Sequence, residues 1–298
     1  MKNIFYMLLA FVLLFTACKD DDGAASPEPN DPLSVGEVLE DNTAMFSVFG
    51  ATYCWNCHEP SGTYQQTVMD QAGSEMIGFK MCGDYSYASI GVTDEATDMW
   101  GNAQAEFGGP SGLAGYTLNN RDWAYLANEE GQIVFSDVAN AAKEFGKSSD
   151  VKANVASKFS LDGKKFKLKY KFKAFQDLTS THRVAFYIIA NDMEAYYWPG
   201  QSGAELILDT WKPFLLGSLN GTFGEDEISD LKAGETFEGE VEFDAKYLDF
   251  DKAPRVGDLN PEITEDLISR ADVVAVIWNN KNFTSYSFVN CSKAEKVQ

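Results

Sequence analysis

Two cysteines stand two residues apart, Cys54 and Cys57, in the stretch Ala51-Thr52-Tyr53-Cys54-Trp55-Asn56-Cys57-His58. The apolar run Ala44-Met45-Phe46-Ser47-Val48-Phe49 leads into the pair and Pro60-Ser61-Gly62 closes it. A cysteine pair of this spacing at a strand exit forms a dithiol, half of a metal site, or a thioether-linked haem site. Every other feature of the chain bears on that choice.

Cys-x-x-Cys-His has the form of a c-type haem attachment, with His58 as axial ligand. A second axial ligand does not stand out. His182 is far away in sequence, and Met69, Met76 and Met81 fall in apolar patterns that read as core. Zinc needs a second pair of ligands, which the pattern does not supply. The dithiol is therefore the leading reading, and no cofactor is expected.

The chain has 298 residues, enough for two domains that each bury a core. Its formal charge of −21 argues against nucleic acid, which requires a concentrated basic surface. It equally disfavours docking on anionic lipid.

Lys2 precedes an apolar stretch from Ile4 to Phe15, short for a membrane span and suited to a signal-peptide core. Leu14-Phe15-Thr16-Ala17-Cys18 resembles the lipobox of bacterial lipoproteins. The resemblance implies a signal peptide over 1–17, cleavage before Cys18, and a lipid anchor on Cys18; an uncleaved membrane anchor is the plain alternative. Lys19-Asp20-Asp21-Asp22-Gly23 is similar to the acidic surface-export signal of Bacteroidetes lipoproteins; a solvated tether is the plain alternative. Residues 18–40 are expected to be a lipidated linker of Gly, Ser, Pro and acidic composition. An exported chain meets an oxidising compartment, so Cys54 and Cys57 are expected as a disulfide at rest. Cys82 and Cys291 lie in apolar runs and read as inert core, a bridge between them being the other reading.

Residues 41–150 read as an alternating α/β unit. A helix is expected over 63–72 with Ser61 as cap, a buried strand over 76–82, and a helix over 94–107. Trp123–Ala127 and Gln132–Phe135 flank Asn128-Glu129-Glu130-Gly131 as a hairpin, and a helix near 137–146 follows.

With Phe49, Ala51, Tyr53 and the Cys54/Cys57 pair at a strand end, and Glu130-Gly131-Gln132-Ile133-Val134 late in the unit, this region resembles a thioredoxin-like domain. The resemblance implies thiol–disulfide exchange with a protein thiol or disulfide substrate. Cys54, at a helix N-terminus, would be the nucleophile and Cys57 the resolving cysteine. Trp55, His58 and Pro110 are accessory candidates. The chain departs from the family in three places. Val48 stands where thioredoxins carry a buried Asp. Pro60 and Gly62 fall early in the helix after Cys54, predicting a short helix. Counting back from Gly131, the family's cis-proline position lands on Asp122, leaving Pro110 as the nearby candidate.

From Val151 the pattern turns to period two. Phe166, Leu168, Tyr170 and Phe172 alternate with Lys165, Lys167, Lys169, Lys171 and Lys173, and Phe237–Asp244 alternates with acids. The two strands are expected to pair, or to lie close on the same sheet, with Lys facing Glu outward and Phe facing inward. Further strands at 184–189, 273–278 and 284–289 suggest a β-sandwich, Ig/fibronectin-like, over 151–298. Tyr196-Tyr197-Trp198-Pro199-Gly200 is an aromatic loop that either binds a partner or packs back on the sandwich.

An α/β thioredoxin-like domain over 41–150 followed by an all-β sandwich, behind a lipobox, resembles the Omp28-related outer-membrane lipoprotein family. That family implies an outer-membrane location and no defined substrate. The competing class is a surface binding protein or adhesin in which the Cys54–Cys57 disulfide is only structural.

Overall fold

The fold is ordered by which backbone stretches can hide both faces. A computed structural model describes residues 31–51, 54, 59–82, 93–110, 113–197, 205, 207–248, 250, 261–282 and 285–297. The expected signal peptide and lipid-modified Cys18 lie outside the described residues, as do Trp55, Cys57, His58 and Trp198. Strand β1 (Ala44–Gly50) is buried at every position and precedes α1 (Glu59–Ala72). Then come β2 (Met76–Cys82), α2 (Asp94–Phe107), β3 (Gly115–Leu118), β4 (Arg121–Asp122) and α3 (Phe135–Gly146).

Local chemistry sets these bounds. The Thr93 hydroxyl accepts from Ala96 N–H and caps α2, whose first turn carries Asp94 and Glu95 against the helix dipole. Gly108, at φ 75°, ends α2 by donating to the Gln104 carbonyl. Pro60 sits in the first turn of α1, where a backbone N–H has no intrahelical partner, so the helix takes in Pro60 and runs 14 residues from Glu59; Ser61, expected as the cap of a helix over 63–72, lies within it.

The hairpin lies elsewhere than expected. Asn119 and Asn120 both take positive φ, 55° and 60°, which a type I′ turn requires, so β3 and β4 pair across them. Trp123–Leu126 is a 3-10 turn started by the Asp122 carboxylate, which accepts from Ala124 N–H, and Phe135 already begins α3. The Asn128 side chain closes the 128–131 turn by accepting from Glu130 and Gln132 N–H, but strands do not flank it.

The remainder is mostly strand: β5 (Ala153–Asp162), β6 (Lys165–Ala174), β7 (Thr181–Ala190), β8 (Met193–Tyr197), β9 (Ile207–Trp211), β10 (Phe214–Ser218) and β11 (Thr236–Asp244). A short α4 (Glu265–Ser269) precedes β12 (Asp272–Asn282), β13 (Ser285–Lys293) and β14 (Glu295–Lys296). An eight-stranded mixed sheet runs β13-β12-β7-β10-β2-β1-β3-β4, and a four-stranded sheet runs β11-β6-β5-β14. β8 and β9 form a separate pair.

The two stretches expected as separate domains share the larger sheet. β2 pairs in parallel with β10, and Pro32–Gln298 is one compact unit. The change of pattern near residue 150 marks where helices give way to the second sheet as cover. The sandwich is therefore built on the same sheet as the α/β region.

Central strands are buried on both sides and alternate between two cores. Val184, Phe186 and Ile188 of β7 face the cluster between the sheets, with Phe166, Leu168 and Phe172 of β6. Ala185, Tyr187 and Ile189 face a second cluster with Met99 of α2, Phe49 and Trp278. Phe46, Val48, Val68 and Val138 form a third cluster beneath α1 and α3. Double burial explains why β7 and β12 read as near-continuous apolar runs.

The lysine and glutamate strands pair as expected. Lys171 stands opposite Glu238, Lys169 opposite Glu240 and Lys167 opposite Glu242, with ion pairs of 2.8, 3.7 and 2.8 Å. Phe166, Leu168, Tyr170 and Phe172 point to the core. The charges are a solvated face, and surface pairs of this kind add little stability.

Candidate functional site

β1 carries the chain to Cys54. The strand ends at Gly50, and the Cys54 N–H donates to the Ala51 carbonyl at 3.2 Å, turning the backbone immediately beyond the sheet. Cys54 is half-buried and disulfide-bonded. Cys82 and Cys291 are free and buried, so they do not bridge to each other. The described part of α1 begins at Glu59, five residues past Cys54; residues 55–58, where the expected helix N-terminus falls, are outside the described residues.

Pro110 leaves the sheet at the same end. β3 runs antiparallel to β1, so its first residue, Gly115, pairs with Phe49 near the end of β1. A Cβ placed on Gly115 would meet Trp100 at 2.7 Å and the Pro110 ring at 2.8 and 2.9 Å. Trp100 in turn packs edge-on against Phe49, with centroids 5.2 Å apart. The Gly109–Pro110 peptide is cis, and the Pro110 carbonyl accepts from Gln104 Nε2 at 3.2 Å. With the hairpin at 115–122, Pro110 lies five residues before β3, and the long insertion that placement at Gly131 would require disappears.

Below Cys54, Val48 is fully buried and apolar. Its partner in the parallel register is Lys80 of β2. Burial pushes the Lys80 ammonium down to about 8, against a smaller upward pull from Cys82. The same burial pushes the Cys82 thiol up to about 12. Lys80 Nζ lies 4.9 Å from the centre of the Trp211 ring. Sequence reasoning passed over Lys80, although a lysine within Met76–Cys82 was the available signal. A buried amine of lowered pKa moves protons near neutral pH.

Ring contacts link α1 to α3 and brace the β3–β4 end of the sheet. Trp123 stacks on Tyr116 at 4.0 Å, and Tyr64 of α1 lies 4.6 Å from Phe135 of α3. Tyr196 and Tyr197, expected in an aromatic loop, end strand β8 instead: Tyr197 packs into the core between the sheets, while Tyr196 lines a cleft of about 630 Å³ with Asp192, Leu208, Glu262, Asp266 and Arg270. Arg270 pairs with both Asp192 and Asp266 across that cleft.

No protein-family model and no curated protein matches the chain. Among solved structures it is similar to HBP35 of Porphyromonas gingivalis, at 14% identity and a TM-score of 0.57. That alignment covers 88% of this chain and 79% of the other, which shows a shared β-rich fold. A β-glucosidase from Kluyveromyces marxianus aligns over 49% of this chain and 14% of its own, at 11% identity and a TM-score of 0.19, too low for a common fold.

Proposed function

We propose that this is an outer-membrane lipoprotein of Omp28-related type whose first half is a thioredoxin-like platform for thiol–disulfide exchange. The observation that carries this reading is the position of disulfide-bonded Cys54 directly beyond β1, in a βαβαββα run of strand order β2-β1-β3-β4. Pro110 at the same sheet end supports it. The lipobox ending in Cys18 supports the anchor and the compartment.

In this reading Cys57 is the partner of Cys54. In the reduced protein the Cys54 thiolate attacks one sulfur of a protein disulfide, and the other substrate sulfur leaves as a thiolate that takes up a proton. The Cys57 thiolate then attacks Cys54 Sγ, releasing the second substrate thiol and leaving a Cys54–Cys57 disulfide. The oxidised protein runs the same steps in reverse. Lys80, within the strand beside β1, is the buried amine closest in register to the strand that presents Cys54.

One observation favours the competing binding protein with a structural disulfide: the position six residues before Cys54 is the buried, apolar Val48 and not a carboxylate. Glutathione redox titration of the detergent-solubilised full chain separates the two. A potential of roughly −120 to −270 mV with rapid exchange is expected; one below about −300 mV, or reduction only on unfolding, marks a structural bond. Loss of membrane fractionation in Cys18→Ala tests the anchor separately.

A further inference from the structure

A sheet keeps unspent hydrogen bonds at its edges. The two larger sheets end in four strands, β4 and β13 on one and β11 and β14 on the other. β4 and β14 have two residues each, too short to receive a partner. At β13 the Asn102 side chain of α2 bonds both backbone groups of Tyr286, its Nδ2 donating to the carbonyl and its Oδ1 accepting from the N–H, each at 2.8 Å. β11 is different. It runs nine residues, pairs with β6 without a break in register, and among the described residues has no strand on its other side.

The ladder shows which groups are left over. Ala174 N–H donates to the Glu235 carbonyl at 3.0 Å and Ala245 N–H to the Lys164 carbonyl at 2.7 Å, so at both ends the bonds to β6 fall on odd-numbered residues. Antiparallel pairing alternates bonded and non-bonded positions. The N–H and C=O groups of Glu238, Glu240 and Glu242 therefore point away from β6, toward the open edge. Their carboxylates are more than half exposed on the outer face. On the inner face Phe237, Val241 and Phe243 are only half-buried against the core between the sheets. A cleft of about 230 Å³ opens beside Phe243, with Leu216, Tyr247 and Leu248 also in its lining.

A strand offers the same two rows of side chains to both of its neighbours. β6 shows what these rows accept: apolar residues opposite Phe237, Val241 and Phe243, and lysines opposite the three glutamates. We propose that the open edge of β11 takes up an extended segment of another protein in which Lys or Arg alternates with apolar residues. The segment adds a strand. Its backbone bonds Glu238, Glu240 and Glu242, its cations continue the charge ladder, and its apolar side chains close the half-open core. A second copy of this chain fits poorly, because its own β6 is already paired on both sides. Antiparallel pairing of β11 with β11 that keeps the apolar rows together sets glutamate against glutamate. Charge on an edge strand keeps like edges apart. Here it admits the opposite charge.

The test titrates the full chain with a ten-residue peptide of the β6 sequence, Lys165–Ala174, and with a control of the same residues whose five lysines are gathered at one end. Saturable binding of the first peptide in the micromolar range is expected, about tenfold or more tighter than the control. Hydrogen exchange read at single amides should slow at Glu238, Glu240 and Glu242 on binding, and stay unchanged at Val241, whose N–H already faces β6. Glu240→Pro removes one outward N–H and no bond to β6, so it should fold and bind the peptide about tenfold more weakly. The wild-type exchange decides alone where that variant folds poorly. No binding, equal affinity for the two peptides, binding without slowed exchange at the three amides, or full affinity in a folded Glu240→Pro overturns the proposal. So does slow exchange at those amides before peptide is added: if dilution abolishes it, a second copy holds the edge, and if not, the chain's own segment does.

Discussion

Val48 and Lys80 are partners in the parallel register of β1 and β2, and both are buried. Register partners send their side chains to the same face, so the sheet carries a methyl-rich residue and an ammonium side by side. The ammonium is the costly member, because burial disfavours its charged form. Its pKa falls from 10.5 to about 8. Below pH 8 the amine is charged in both folded and unfolded chains, and the cost of burying it is present in full. Between about 8 and 10.5 the folded chain has released the proton and the unfolded chain still holds it, so stability rises with pH. Lys80→Met removes this term. Urea unfolding from pH 7 to 10 should find Lys80→Met the more stable protein at pH 7. Its advantage should shrink by about 1 kcal/mol per pH unit above 8, and by about 3 kcal/mol at most. Ionisation of Cys82 in the unfolded chain acts oppositely at high pH, but it is common to both proteins. A pH-independent difference would show that Lys80 is charged and stabilised in place.

Cys82 and Cys291 contrast with Cys54. Both are buried free thiols whose pKa values burial raises, that of Cys82 to about 12. The thiolate is the reactive species, so neither should alkylate in the native protein. Peptide mass spectrometry after iodoacetamide treatment should find both unmodified until denaturant is added. Once the disulfide at Cys54 is reduced, Cys54 should be modified in the native state. Native labelling of Cys82 would place it in an open surface.

Gly115 joins the strand that follows Pro110 to its neighbours without a side chain. A Cβ there comes within 2.7–2.9 Å of Trp100 and Pro110, closer than carbon atoms tolerate. The indole is held against Phe49 and the proline by its ring, so neither yields easily. Gly115→Ala should cost about 1–3 kcal/mol in chemical unfolding, the usual cost of overpacking. No loss would mean that Trp100 and Pro110 give way to the added methyl group.

The charged face of β6 and β11 permits a cleaner test by exchange. Lys169 faces Glu240 on one side and Lys158 of β5 on the other. Glu240→Lys should lower the melting temperature by surrounding Lys169 with like charge. Adding Lys169→Glu should restore it, because the new carboxylate then faces lysine on both sides. Both effects should shrink in high salt. A double variant no more stable than the single one would show that the pairs are not coupled.

The lysine–glutamate pairing was legible because period two and opposite charge are local signals that two strands repeat. The span of α2 was legible too, since its apolar spacing runs to Phe107 and Gly108 stops it. The hairpin was not, because Asn119-Asn120 and Asn128–Gly131 are both turn sequences and only strand pairing tells them apart. Nor was the shared sheet: β2 meets β10 through the single residue pair Lys80–Phe214, some 130 residues apart, which no periodicity records. Cys54 stands out in the sequence by its spacing from Cys57 alone. Lys80 was missed because its meaning lies in burial and in what faces it across a strand.

Asn290 shows how a buried polar residue fastens the start of the unit. Its Oδ1 accepts from Thr43 N–H at 2.8 Å and Cys291 N–H at 2.9 Å. Its Nδ2 donates to the carbonyls of Asp41 at 2.8 Å and Ala153 at 3.1 Å. Asn154 grips the same segment, donating to the Leu39 and Asp41 carbonyls. The two amides hold residues 39–43 in the line that leads directly into β1, and so toward Cys54. Removing a side chain with four partners strands buried backbone groups. Asn290→Ala should therefore cost about 2–4 kcal/mol. Asn290→Leu fills the space without restoring a hydrogen bond and should cost as much; a mild Asn290→Leu would mean that packing, not polarity, holds the segment. Hydrogen exchange at the Thr43 amide gives the local readout, since that proton has Asn290 Oδ1 as its acceptor and should lose protection in both variants.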